Sequence, residues 1–241
     1  SDKAGGLLRY GIPRYRLPNE VLDGDIKRIE KMGVSFQMNT YIEDMLKAKE
    51  DGGYDALFVA VGAQRARTLD IPGDGGIAVI NAIDVLRQFE NNADGVELNL
   101  GGKVVIYGGG NVAMDVARSA VRLGAAVQMV VLESREQMPA HDFEVKEALE
   151  EGCQIQPLRA IKNAIDQTIS LVEMALDTQG KPQPTGRFES LQADTVVLAI
   201  GQEVETHLVE GIDGVSVRDG VVEVDEHMMT GHQGLFAGGD M

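Results

Sequence analysis

The chain has 241 residues, 44% of them hydrophobic, which is enough for one large domain or two small ones with buried cores. Its 22 Lys and Arg are outnumbered by 38 Asp and Glu, and the net charge of −16 argues against nucleic acid or anionic membranes as partners. Without a long apolar run or a signal-peptide pattern, a cytoplasmic protein is expected. The single Cys153 excludes an internal disulfide, a CxxC pair and an iron–sulfur ligand set within these residues, so redox chemistry requires a bound organic cofactor.

The first third of the chain mixes loop and short elements. Ser1–Pro18 is rich in Gly, Pro and Arg without periodicity, which indicates a loop. Helical spacing follows from Asn19 to Gly33, and Val34–Met38 then alternates like a strand. A short helix is predicted over Ile42–Lys49, and the apolar run Asp55–Gly62 is typical of a buried parallel strand.

From Asn81 onward, strands and helices alternate. The predicted elements are a helix Asn81–Asn91, a strand Val104–Tyr107, a helix Val112–Leu123, a strand Val127–Leu132, a helix Asp142–Glu151 and a strand Gln154–Gln156. Strand-like segments at residues 160–165 and 169–176 then indicate an antiparallel excursion. The later predictions are a strand Asp194–Gly201, which repeats the pattern of Asp55–Gly62, a hairpin at Arg218–Gly220 and a strand Gly234–Ala237. The predicted fold class is α/β, with a Rossmann-like parallel sheet.

One glycine cluster lies between a predicted strand and a predicted helix. Gly108-Gly-Gly-Asn-Val-Ala113 satisfies GxGxxA in the context of the dinucleotide fingerprint. Gly108 permits the tight turn, Gly110 lets a pyrophosphate approach the backbone, and Ala113 lets the helix pack close to the sheet. The helix N-terminus offers free N–H groups and a partial positive charge to the phosphates.

The second predicted strand ends at Glu133, at the place where an acidic side chain accepts hydrogen bonds from adenine ribose hydroxyls. Glycines, helix and acid together predict a pyridine dinucleotide. The alternative is a glycine-rich turn in a Rossmann-like fold that binds another nucleoside, such as the adenosyl group of a methyl donor. For Asp115, a favourable interaction with the helix dipole and a role in the nucleotide pocket both stay open. Arg135 is either a solvent-facing charge or a group that stacks on adenine or contacts a phosphate.

Six ordered motifs resemble the two-dinucleotide flavoprotein oxidoreductases, within them the glutamate synthase small subunit and the N-terminal half of dihydropyrimidine dehydrogenase. The motifs are Ala4-Gly-Gly-Leu-Leu-Arg-Tyr-Gly-Ile-Pro13 with Arg16-Leu-Pro18, Ala60-Val-Gly62, Gly108-Gly-Gly-Asn-Val-Ala-Met-Asp115, Met138-Pro139, Ala199-Ile-Gly-Gln202 and Ala237-Gly-Gly-Asp240. The resemblance covers nearly the whole chain. It implies an NAD(P)H-binding domain over residues 70–201, inserted into an FAD-type domain whose pieces are residues 1–69 and 202–241.

The resemblance also implies which residues contact the cofactors. The residues predicted on the nicotinamide dinucleotide are Gly108, Gly109, Gly110, Asn111, Val112, Ala113, Asp115, Glu133, Ser134, Arg135, Ile200, Gly201 and Gln202. Those predicted on FAD are Gly5, Gly6, Leu7, Gly62, Gly239 and Asp240. No catalytic side chain is predicted, because hydride transfer requires the rings to be stacked rather than an acid or base. The four histidines show no ligand spacing, so no metal site is predicted.

The sequence departs from the family pattern in two places. The FAD domain of relatives begins with its own strand, GxGxxG loop and helix before the counterpart of Ala4, and only three residues precede Ala4 here. We therefore expect a fragment that does not retain FAD by itself. NADPH-using relatives carry Tyr-Arg-Arg at the end of the second strand, where this sequence has Val131-Leu-Glu133. This difference predicts a preference for NADH over NADPH.

The function predicted from these features is a flavoprotein oxidoreductase module. In it, hydride passes from the nicotinamide to FAD, and electrons continue to an iron–sulfur domain or an electron-accepting partner subunit. A non-catalytic NAD-sensing or assembly module is the alternative. A thioredoxin-reductase-like enzyme is disfavoured by the absence of CxxC.

Overall fold

The structure is a computed structural model that describes residues 1–73, 75–91 and 98–241. Its helices are α1 (Leu7–Tyr10), α2 (Asn19–Lys31), α3 (Met45–Asp51), α4 (Ala82–Asn91), α5 (Asn111–Arg122) and α6 (Asp142–Glu150), with a 3-10 helix at Thr206–Leu208. Its strands are β1 (Leu57–Val59), β2 (Arg65–Ala66), β3 (Ala78–Asn81), β4 (Lys103–Tyr107), β5 (Ala126–Val130), β6 (Gln154–Gln156), β7 (Arg159–Ile165), β8 (Thr168–Leu176), β9 (Pro182–Gln192), β10 (Thr195–Leu198), β11 (Gln202–Glu203), β12 (Val217–Arg218), β13 (Val221–Val222) and β14 (Leu235–Ala237).

The chain forms two compact units. The first comprises Ser1–Phe36 and Thr68–Ile200, and the second comprises Gln37–Arg67 and Gly201–Met241. The N-terminal stretch thus packs in the same unit as the glycine-rich motif. The assignment of residues 1–69 and 202–241 to an FAD domain, and of residues 70–201 to a nicotinamide domain, stays a prediction.

The first unit is built on a five-stranded parallel sheet of order β3-β10-β4-β5-β6. An antiparallel sheet of order β7-β8-β9 accompanies it. The crossover from β4 to β5 contains α5, as a parallel pair of strands requires. The predicted α/β class, with a parallel sheet and an antiparallel excursion, is confirmed.

Side chains of β4 alternate between two hydrophobic cores, because successive residues of a strand point to opposite faces. Val104 and Ile106 belong to the core that contains the buried residues of α4, α5 and α6. Val105 belongs to the other core, together with Ile169 and Leu171 of β8. The parallel sheet therefore lies between a helical layer and the antiparallel strands, and its carboxyl edge carries the loops described below.

The second unit is smaller. In it β1 pairs with β14 in parallel, β2 pairs with β11 and β12 pairs with β13, the last two in antiparallel fashion. The β12–β13 pair confirms the predicted hairpin. Its buried core consists of Met45, Val59, Val209, Val222, Leu235, Ala237 and Met241.

Three local predictions about the chain's first third were wrong. Val34–Met38 is not a strand, and Val34 and Phe36 are exposed, so the alternation has no pairing partner among the described residues. The loop Ser1–Pro18 contains the helical turn α1. Asp55–Gly62 contributes only the short β1: its parallel pairing, with β14, is as predicted and Val59 is buried, but Phe58 is 57% exposed, so the strand is not buried throughout.

A fourth element, β9, was missed. Pro182, Pro184 and Gly186 lie within it and disguise its strand character. It pairs with β8 and is an edge of its sheet, where proline is tolerated because one side of the strand needs no ladder hydrogen bonds.

Candidate dinucleotide site

The glycine loop, which we define as Gly108–Ala113, connects β4 to α5. Gly108 has a φ of 138°, and a Cβ there would lie 2.3 Å from the carbonyl oxygen of Ala199. A Cβ on Gly109 would lie 2.7 Å from Cγ1 of Val131. The loop thus passes so close to its neighbours that two of its positions exclude a side chain.

Gly110 differs from the other two glycines. A Cβ there would have no atom within 4 Å, and its φ of −90° suits any residue. Fold geometry therefore does not require glycine at this position, whereas a ligand lying against the backbone does. The open space next to Gly110 fits the pyrophosphate of a dinucleotide.

The first turn of α5 begins directly after Gly110. Gly110 is the N-cap and provides no side-chain cap, so the N–H groups of Asn111, Val112 and Ala113 have no acceptor within the helix. Ala113 is fully buried, and Val112 packs partly buried against the helical core. Unpaired N–H groups at a helix N-terminus attract anions.

Asn111 uses its side chain within the protein. Its Oδ1 accepts a hydrogen bond from the backbone N–H of His141 at 3.0 Å. The N–H of Ala140 donates to the carbonyl oxygen of Gly109 at 3.1 Å. Two hydrogen bonds thus tie the segment preceding α6 to the glycine loop.

Asp115 forms an ion pair with Arg16, a contact that was not predicted from the sequence. Nη1 of Arg16 lies 2.6 Å from both Oδ1 and Oδ2 of Asp115, and Nη2 of Arg16 also binds Glu144. Burial raises the pKa of Asp115, and Arg16 opposes that shift. The only sequence signal for this contact was the Arg16-Leu-Pro18 motif, whose partner lies 99 residues away.

The β5 loop, which we define as Val131–Gln137, follows β5 at the carboxyl edge of the sheet. Because β5 ends at Val130, Glu133 lies beyond the strand rather than at its last position. Burial is the main cause of the raised pKa of Tyr107, and the negative charge of Glu133 raises that pKa further. Ser134 donates a hydrogen bond to Glu136 at 2.9 Å. Arg135 approaches Sδ of Met138, its positive charge helps to lower the pKa of Glu136, and it forms no ion pair with a carboxylate within the described ranges.

The remaining predicted residues of the first unit lie in several places. Ile200 follows β10 and packs against the core on the antiparallel side. Gly5 and Gly6 have positive φ and precede α1, which begins at Leu7. A Cβ on Gly6 would have no atom within 4 Å.

The second unit contains five predicted site residues. Gly201 accepts a hydrogen bond at its carbonyl oxygen from the N–H of Arg67, and Gln202 begins β11. Gly62 lies beyond β1, and Gly239 and Asp240 follow β14. Gly239 has a φ of 76° and an open Cβ position. Gly62, Gly201, Gly239 and Asp240 lie in loops that follow strands, the usual place for ligand contacts in α/β proteins.

Two further observations bear on ligands and membranes. Within residues 1–73, 75–91 and 98–241, no group of three or more His, Cys, Asp and Glu side chains forms a metal site. None of the described helices has the length and apolar character needed to cross a bilayer.

Relatives with curated descriptions match the chain over nearly its whole length. The NADP(+)-dependent formate dehydrogenase subunit beta of Moorella thermoacetica is 38% identical over 99% of the chain and 36% of its own length. A putative glutamate synthase [NADPH] small chain of Cereibacter sphaeroides is 33% identical over 100% of the chain and 63% of its own length. The NADPH-Fe(3+) oxidoreductase subunit beta of Geobacter sulfurreducens is 34% identical over 98% of the chain and 40% of its own length. The chain therefore spans less than two thirds of each of these relatives.

These relatives overturn the predicted preference for NADH. All three are named for NADP(+) or NADPH. The prediction assumed that Glu133 occupies the end of the second strand, in place of the arginines of NADPH-using relatives. In the structure Glu133 lies past the strand end, and the same loop presents Arg135, which forms no ion pair with a carboxylate among the described residues. The presence of an acidic residue at position 133 was therefore not enough to predict a preference for NADH over NADPH.

Solved structures share the fold. A 2-naphthoyl-CoA reductase complex matches 86% of the chain and 29% of its own chain, with a TM-score of 0.64 and 20% identity. Thioredoxin reductase of T. acidophilum matches 78% of the chain and 57% of its own chain, with a TM-score of 0.60 and 17% identity. The model of the family described as pyridine nucleotide-disulphide oxidoreductase matches residues 24–241. The chain belongs to this family of flavoprotein oxidoreductases, as the six motifs predicted.

Proposed function

We propose that this chain binds NADP(H) at the glycine loop, with the pyrophosphate against Gly110 and the first turn of α5. The observation that carries this proposal is the open Cβ position of Gly110, beside two glycines whose Cβ positions are blocked by protein atoms. The free N–H groups of Asn111, Val112 and Ala113 supply hydrogen-bond donors to the phosphate oxygens.

The β5 loop is the proposed site for the adenosine end. The guanidinium of Arg135 forms no ion pair among the described residues, although its charge acts on Glu136, so it is available to a 2′-phosphate. The Ser134 hydroxyl lies beside it in the chain. Glu133 accepts a hydrogen bond from a ribose hydroxyl in this arrangement. The three relatives are named for NADP(+) or NADPH, which supports the choice of nucleotide.

The proposed activity is an NADP(H)-dependent oxidoreductase module. When bound, the nicotinamide dinucleotide supplies a hydride and FAD accepts it. This chain's residues bind and orient the rings through backbone groups, because the transfer needs no acid or base. Gly6 in the first unit and Gly239 in the second unit each have an open Cβ position, so each leaves its backbone accessible to a ligand. The proposed neighbours of FAD are Gly5, Gly6, Leu7, Gly62, Gly239 and Asp240. Those of the nicotinamide include Ile200, Gly201 and Gln202.

Electron transfer beyond FAD is proposed to involve a partner subunit or an iron–sulfur domain. Two of the relatives are named as beta subunits and a third as a small chain, which supports a partner subunit. The chain spans 36%, 63% and 40% of the length of these relatives, so their electron acceptors are assigned to this protein only as part of the proposal.

Calorimetric titration with NADP⁺ tests the proposal. The unmodified chain is expected to bind, and Gly110→Asp is expected to weaken binding by about 30-fold or more, because a carboxylate then occupies the phosphate position. Asp is a favourable N-cap, so helix α5 remains capped. Gly24→Asp in α2 is the matched control, since its Cβ also meets no atom within 4 Å. Equal NADP⁺ affinity of Gly110→Asp and the unmodified chain would contradict the proposal.

A further inference from the structure

Arg16 forms ion pairs with residues of two helices that lie far along the chain. Nη1 of Arg16 binds both carboxylate oxygens of Asp115 in α5 at 2.6 Å, and Nη2 binds Oε1 of Glu144 in α6. Only 7% of the Asp115 side chain and 2% of the Glu144 side chain are exposed. One partly exposed guanidinium thus joins two buried carboxylates near the N-terminal ends of α5 and α6.

Both helices lead directly to the glycine loop. Asp115 lies just past the first turn of α5, whose N-cap is Gly110. Glu144 lies in the first turn of α6, and its N–H donates to the carbonyl oxygen of His141. His141 in turn donates to Oδ1 of Asn111 in the glycine loop. A change in the spacing of α5 and α6 would therefore reach the loop through hydrogen bonds.

Arg16 compensates the negative charges of two carboxylates. Asp115 and Glu144 are two buried carboxylates that share one guanidinium. The nearby Arg118 is already engaged by Glu147 and Glu151. Two carboxylates without their cation repel each other strongly in a site of low dielectric constant. Removal of Arg16 would thus push α5 and α6 apart at their N-terminal ends.

We infer that Arg16 is a positioning residue for the nucleotide: it holds Asp115 and Glu144 together and so keeps the backbone N–H groups of the glycine loop aligned with the phosphates. This inference rests on the proposed binding of NADP(H). Arg16 itself acts through these two carboxylates and needs no contact with the ligand.

Titration of the cluster gives a readout that a purely structural contact would not. The groups that face Asp115 are Arg16, Glu144, Arg118 and Tyr15. Burial raises the pKa of Asp115, while Arg16 lowers it. In Arg16→Ala the opposing effect of the cation is lost, so a proton binds Asp115 at a higher pH. The loss of NADP⁺ affinity is therefore expected to be large at pH 8 and smaller at pH 5.5.

The test compares Arg16→Ala with Arg14→Ala by NADP⁺ titration at both pH values. Arg14 is in the same segment and binds the buried Glu90 of α4 at 2.8 Å, so its loss also leaves a carboxylate unpaired, but in a different helix. At pH 8 we expect Arg16→Ala to bind NADP⁺ about tenfold more weakly, and Arg14→Ala to change affinity by less than about threefold. Addition of Glu144→Gln to Arg16→Ala removes the repulsion and is expected to restore most of the lost affinity.

Each result has a defined meaning. If folded Arg16→Ala binds NADP⁺ as tightly as the unmodified chain, or if Glu144→Gln restores nothing, the inference is overturned. If Arg16→Ala does not fold, Arg16→Lys takes its place, because lysine keeps the charge but cannot bridge two carboxylates with a planar fork; a loss of about threefold or more supports the inference and equal affinity overturns it. If the unmodified chain does not bind NADP⁺, the proposed function fails instead.

Discussion

The glycine loop and the β5 loop lie at the ends of neighbouring parallel strands, yet their sequences carry information of different kinds. In the glycine loop, residue identity is imposed by protein atoms that approach the backbone, such as the Ala199 carbonyl oxygen 2.3 Å from a Cβ on Gly108. In the β5 loop, Ser134 and Glu136 contact each other, and Arg135 contacts Met138 and acts electrostatically on Glu136. Steric exclusion is readable from a sequence, whereas the roles of polar side chains in a loop depend on where the loop directs them.

The largest expected effect is on folding, at Gly108. Gly108→Ala places a Cβ against the Ala199 carbonyl oxygen and forces a φ of 138° on an L-residue. We expect a loss of about 3 kcal/mol or more in the free energy of unfolding. Urea denaturation measures it. Gly24→Ala, in α2 with an open Cβ position, is the control and should be neutral or stabilising. If Gly108→Ala and Gly24→Ala are equally stable, steric exclusion by protein atoms does not explain the glycine at position 108.

A smaller effect is expected where the two loops touch. A Cβ on Gly109 would lie 2.7 Å from Cγ1 of Val131, the first residue of the β5 loop. Gly109→Ala is expected to cost about 1 to 3 kcal/mol in the free energy of unfolding. In a Val131→Ala background that cost should fall by about 1 kcal/mol, because the clashing methyl group is gone. If the losses in free energy of unfolding of Gly109→Ala and Val131→Ala are strictly additive, the new Cβ is accommodated by a shift of atoms other than those of the Val131 side chain.

The smallest effect concerns Arg135 in the β5 loop. Arg135→Ala is expected to weaken NADP⁺ binding by about tenfold through the loss of a charge-assisted hydrogen bond, with NAD⁺ affinity changed by less than about twofold. The melting temperature should stay unchanged. Arg187→Ala, which removes an exposed arginine paired with Glu173 in the antiparallel sheet, is the control. Equal losses for both nucleotides would place the 2′-phosphate elsewhere.

The same contrast explains how far the fold and the site could be predicted from sequence. The alternation from β4 to β6, with α5 and α6 between them, was predicted because its apolar residues follow the periods of strand and helix and end at glycines. β9 was missed because an edge strand accepts prolines, and Val34–Met38 was mistaken for a strand because alternation alone does not provide a pairing partner.

Long-range polar contacts were beyond the reach of the sequence. Neither Arg16 nor Asp115 carries a local pattern that indicates its partner, since the two are brought together only by the packing of the N-terminal segment on α5. The nucleotide preference failed for a related reason. Glu133 was interpreted by its residue type and approximate position, whereas the strand ends earlier, at Val130.

The central claim is that a dinucleotide phosphate lies against the glycine loop. Amide hydrogen exchange, measured by NMR with and without saturating NADP⁺, tests it most directly, because the N–H groups of Asn111, Val112 and Ala113 have no acceptor within the helix. We expect exchange at these amides to slow on addition of NADP⁺, while amides in the β12–β13 hairpin keep their rates. Binding of NADP⁺ with unchanged exchange at residues 111–113 would contradict the account.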